Sequence, residues 1–149
     1  MSANVSPEWL CRRLVEEAHD AIIFADQEGK IVLWNTGAEE TFGYTAAEAI
    51  GQSLDIIIPE KHRARHWAGY YRVMATGATK YGRDLLKVPA LRKDGSRASI
   101  EFTIVPVKDN AGRMLGIAAI IRDVTRRWEE EKALRTRLAE LEARLGAAG

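Results

Sequence analysis

Three tight turns decide much of what this chain can become. Asp26-Gln27-Glu28-Gly29-Lys30, Lys93-Asp94-Gly95 and Asp109-Asn110-Ala111-Gly112 each separate a pair of short apolar runs. A connection of that length joins antiparallel neighbours, because a parallel crossover needs about a dozen residues or more. The runs cover 21–25, 31–34, 85–91, 98–107 and 115–123. Two strands, a long intervening stretch and three further strands predict an α+β domain built on one antiparallel sheet.

The remaining segments read as helices. Ser6 is placed to N-cap a helix with Pro7 at its first position, and Trp9, Leu10, Leu14, Val15 and Ala18 follow at helical spacing. Between the second and third strands, Gly37, Gly43 and Gly51 divide short helical patches. Thr45 and Glu48 have the spacing of a capping box. A longer helix is expected over 60–75, closed by Gly77. The stretch 125–145 holds neither Gly nor Pro, and Thr125 is placed to cap it. Leu134, Leu138, Leu141 and Leu145 alternate four and three apart, the spacing of a coiled-coil seam. The expected organisation is a flanking helix over 1–19, a core over 20–125 and a C-terminal signalling helix over 126–149.

Composition removes several function classes. Of 149 residues, 22 are Lys or Arg and 21 Asp or Glu, giving a net charge of +1. That balance argues against a broadly basic nucleic-acid binder. The single cysteine, Cys11, permits neither an intrachain disulfide nor a cysteine zinc site. No run of about 18 apolar residues is present, and the N-terminus lacks the apolar stretch of a secretory signal, so a cytoplasmic location is expected. No phosphate-binding loop, nucleophile elbow or HExxH motif occurs, so a catalytic domain is not expected in this chain.

The stretches DAIIFADQEGKIVLWNTGAEETFGYTAAEAIGQSL, LRKDGSRASIEFTIVPV and GIAAIIRDVT occur in this order between about Leu14 and Thr125. Together they resemble a PAS domain, a sensory box of signalling proteins. The resemblance implies a five-stranded sheet of order 2-1-5-4-3 with helices over one face. It also implies sensing or dimerisation, and a place in a larger histidine kinase of a two-component system, a cyclase or another regulator. In PAS relatives the corner held here by Asp123 and Thr125 joins sensor to effector helix. The two helical flanks and the outer sheet face are the surfaces on which a homodimer is expected.

The segment Pro59-Glu60-Lys61-His62-Arg63-Ala64-Arg65-His66 resembles the iron-ligating helix of the oxygen-sensing haem PAS domains of rhizobial FixL kinases. Pro59, Glu60, Arg63 and His66 match, as does the exit Met74-Ala75-Thr76-Gly77. The resemblance implies haem b as a cofactor, His66 as its axial ligand through Nε2, and His62, one turn earlier, as the fallback. It also places Leu86 where the oxygen-binding kinases carry an arginine that hydrogen-bonds the bound gas; Arg83 lies three residues too early. A cysteinyl-flavin is disfavoured because Cys11 precedes the first strand, although Trp34 could flank a non-covalent flavin. Strand alternation turns Ile100, Phe102, Ile104, Ile117, Ala119 and Ile121 inward, where they line a small-ligand cavity or fill a solid core. A ligand-binding sensor and a ligand-free dimerisation module both remain open on the sequence.

Overall fold

The computed structural model describes residues 5–80, 82 and 84–148. Its elements are α1 (Pro7–Glu17), β1 (Ala21–Asp26), β2 (Ile31–Trp34), α2 (Thr36–Phe42) and α3 (Ala46–Ala49). Two 3-10 turns follow, Leu54–Ile57 and Glu60–His62, then α4 (Arg63–Thr76). Strands β3 (Leu86–Leu91), β4 (Arg97–Lys108) and β5 (Met114–Asp123) lead into α5 (Thr125–Ala148). The strands form one antiparallel sheet of order β2-β1-β5-β4-β3. The last strand in sequence is therefore the central one.

The turns behave as their residues require. Gly29 has φ +79°, a left-handed conformation that costs glycine little. A Cβ there would also fall 2.1 Å from the Trp67 ring, so Gly29 lets α4 close on the β1–β2 turn. Thr45 and Glu48 form the reciprocal capping box at the start of α3. The expected helix over 60–75 divides: Glu60–His62 is a 3-10 turn and the α-helix begins only at Arg63. No side chain caps α4, and Arg63 folds back instead to donate to the carbonyls of Ile58 (3.1 Å) and Asp55 (3.3 Å).

One face of the sheet carries the core. Ala21, Ile23 and Ala25 of β1, Ile100 of β4, and Ile117 and Ile121 of β5 pack with Phe42, Ile57 and Tyr70 from the helical side. Phe42 and Ile31 are the largest wholly buried side chains, each contributing about 2–3 kcal/mol by burial. Trp34 belongs to this core, 5% exposed, with its indole N–H donated to the Tyr44 carbonyl at 2.9 Å. Asn35 binds the start of the fold together. Its Oδ1 accepts from the amides of Ile22 and Ala38, and its Nδ2 donates to the carbonyls of Val15, Ala18 and Asp20. Helix α5 starts at Thr125, and no residue of it is buried. No helix among the described residues is long and apolar enough to cross a membrane.

Candidate functional site

Helix α4 is fixed over the sheet by aromatic residues. The Trp67 indole donates to Asp55 Oδ1 at 2.7 Å, and the Tyr70 hydroxyl donates to the carbonyls of Asp26 (2.6 Å) and Ala25 (3.1 Å). His66 shares this face. Its ring meets Trp67 edge-on at 4.7 Å and Tyr70 at 5.8 Å between centroids. His66 Nδ1 is buried without a hydrogen-bond partner. Burial lowers the His66 pKa from its ordinary 6.5, while the Asp55 carboxylate pulls the other way. The net effect favours a neutral imidazole.

The expected ligand-lining residues divide by exposure. Ile117 and Ile121 are buried, whereas Leu86, Phe102, Ile104 and Ala119 are half-buried. Register sets Leu86 opposite Phe102, Phe102 opposite Ile121 and Ile104 opposite Ala119. His62 stands apart from His66, at the junction of the 3-10 turn and α4. His19 is exposed and pairs with Glu40 at 3.1 Å. Cys11 is exposed on α1. Arg83 lies outside the described residues. An open cleft of about 590 Å³ lies elsewhere, between the exit of α4 at Met74 and Gly77 and the β4–β5 turn at Lys108, Arg113 and Met114.

These residues fit a haem in kind. A desolvated, neutral imidazole is a donor type suited to iron, although the unpartnered buried nitrogen is Nδ1 and not the Nε2 expected to ligate. The half-buried side chains supply apolar surface of the sort a porphyrin face needs.

A second constellation occupies the end of β5. Arg92, on the turn between β3 and β4, donates to Asp123 Oδ2 (2.8 Å), to the Thr125 hydroxyl (3.4 Å) and to the Thr41 carbonyl (3.2 Å). Asp123 Oδ1 accepts from the Thr125 amide (2.9 Å) and hydroxyl (2.5 Å). Burial pushes the Asp123 pKa up, but the hydrogen bonds from Thr125 and Arg92 outweigh it, and the net shift is downward. The structure corrects the expected role of Thr125. Its hydroxyl does not cap α5; it accepts from the Ser99 amide of β4 at 2.9 Å, while Asp123 receives the Thr125 amide. This corner thus joins α2, β4, β5 and α5.

The sequence reading missed Glu101. It lies on the outer face of β4, yet it is 8% exposed and pairs with Lys87 at 3.6 Å and with Arg127. The acidic residue among Ile100, Phe102 and Ile104 was its only sequence signal.

Comparison with known proteins follows the same lines. A model of the PAS fold family matches residues 10–124. An uncharacterized protein of Azorhizobium caulinodans is 36% identical over 124 residues, 83% of this chain and 17% of that protein. The sensor protein FixL of Bradyrhizobium diazoefficiens is 31% identical over 134 residues, 90% of this chain and 25% of that protein. The chain thus spans a quarter or less of the length of either relative. Among solved structures, the PAS domain of a Colwellia psychrerythraea protein superposes with a TM-score of 0.72 at 26% identity, covering 81% of this chain and 99% of that one. An RNA-binding light-oxygen-voltage receptor superposes at 0.69 with 25% identity, covering 97% and 41%. Sheet order, turn positions and family match agree, and the chain belongs to the PAS family.

Proposed function

We propose that this domain is the sensory input module of a larger signalling protein. It takes a small ligand or cofactor against the α4-facing side of the sheet and passes the bound state through β5 and the Asp123–Thr125 corner to α5 and an effector beyond. The observation that carries this reading is His66, whose Nδ1 is shut from water and bonded to nothing. A buried polar atom in that condition is costly, and a ligand that engages it recovers the cost.

Haem b is the cofactor best matched by the chain, and the likeness to FixL supports it. When bound, haem would supply an iron able to take a diatomic gas. His66 would hold that iron through Nε2, the nitrogen other than the orphaned Nδ1, with His62 as the fallback. Leu86, Ile104, Ile117, Ala119 and Ile121 would exclude water and offer only apolar contact. Leu86 has no donor to give a bound gas, so oxygen would be held weakly. Adding hemin to the purified protein tests this. A Soret band should appear, vanish in His66→Ala and persist in His19→Ala. A wild type that takes up no hemin removes haem.

A ligand-free dimerisation module is the second reading. The exposed apolar residues favour it: Trp9, Leu10 and Leu14 on α1, and Leu134, Leu138, Leu141 and Leu145 on α5. A second copy would cover these helices, with the outer sheet face adding to the contact.

A further inference from the structure

Among the described residues, Glu101 is the buried side chain that carries a formal charge. It stands on β4, on the face of the sheet opposite the core, in register with Lys87 of β3 and Arg122 of β5. Lys87 Nζ lies 3.6 Å from its Oε1. Arg122 brings a second positive charge beside it and is itself held by Asp20 through two hydrogen bonds, at 3.0 and 3.2 Å. The third cation comes from another element. Arg127, in the first turn of α5, donates from its guanidinium to the same Glu101 Oε1. The other ion pairs of this turn, Arg126–Glu130 and Arg127–Glu131, run within the helix.

Lys87 and Arg127 both pair with the one carboxylate, one cation more than it needs, while Arg122 is committed to Asp20. If Arg127 withdraws, Lys87 still pairs with Glu101, so α5 can leave without stranding a bare buried charge. That surplus distinguishes a releasable contact from an ion pair that must stay closed. We propose that Glu101 and Arg127 form a latch holding the first turns of α5 on the outer face of the sheet. Strand β5 sets whether it is closed, because β5 carries Arg122 into the same cluster and runs directly into α5. The latch rests on reading α5 as the output helix, but it can be measured without that reading.

The test is amide hydrogen exchange on the whole chain, followed over residues 128–134. Arg127→Ala should speed exchange there by about tenfold, the loss expected for a hydrogen bond to a charged group, and leave β4 and β5 unchanged. Arg126→Ala removes an ion pair internal to the same turn and should change exchange far less. The Arg127 side chain is half exposed, so its truncation leaves the fold intact. Glu101→Gln, which keeps the shape and loses the charge, should speed the same segment. Exchange over 128–134 that is no faster in Arg127→Ala than in Arg126→Ala overturns the latch. If exchange rises as expected but the output of a parent signalling protein bearing Arg127→Ala is unchanged, the latch stands and the sensory reading falls.

Discussion

His66 joins the chemistry of the site to the stability of the fold. Because burial lowers its pKa in the folded protein, the folded state resists protonation more than the unfolded chain does. The contribution of the neutral ring is complete above the ordinary histidine value of about 6.5 and is lost as pH falls below it through the depressed folded value. The denaturant midpoint of the free protein should therefore drop between pH 7 and pH 5.5, and His66→Phe should flatten that drop. An equal slope in the variant would show that His66 does not titrate with unfolding. Glu101 obeys the same rule of burial by a different route, since it is paired with Lys87 and Arg127. Asn35 solves the problem without charge, with every polar atom of its amide bonded to backbone.

At the level of elements, the end of β5 is where the structure departs most instructively from the expected role of a single residue. Thr125→Ala removes the acceptor for the Ser99 amide and a donor to Asp123, and should cost about 1–2 kcal/mol in chemical denaturation. Thr125→Ser, which keeps the hydroxyl, should recover most of it; equal losses in both variants would mean that the methyl group matters and the hydrogen bonds do not. The strands were legible because Gly29, Gly95 and Gly112 sit where their turns need positive φ, and because alternation turned Ile100, Ile117 and Ile121 to the face that became buried. The Thr45–Glu48 box and the Gly77 end of α4 were legible for the same reason: their hydrogen bonds are local in sequence. Glu101 was not, since its burial depends on α5 crossing β4, 26 residues away in the chain. The role of Thr125 was hidden likewise, because local rules see an N-cap candidate and not the Ser99 amide waiting across the sheet. The placement of His66 was legible as a position on α4, but its missing partner was not, because that follows from how Trp67 and Tyr70 pack around it.

For the whole molecule, the unpartnered surfaces and the internal corner belong to one design. Leu138 and Leu141 are 56% and 41% exposed and lie outside the core of the described residues. Light scattering at tens of micromolar should give the mass of a dimer, and replacing both leucines with glutamate should shift it toward the monomer; a monomeric wild type would remove the second copy from the account. Such a pair of α5 helices would carry a change in the core outward, since β5 lies at the centre of the sheet and enters α5 through Asp123 and Thr125. Asp123→Ala cuts the bonds from Arg92 and Thr125 while leaving the core residues in place. The deciding measurement is the signalling output of a parent protein carrying Asp123→Ala, taken beside its thermal melting. The account predicts an output clearly altered in a protein that still melts cooperatively; unaltered output in a stably folded variant would contradict it.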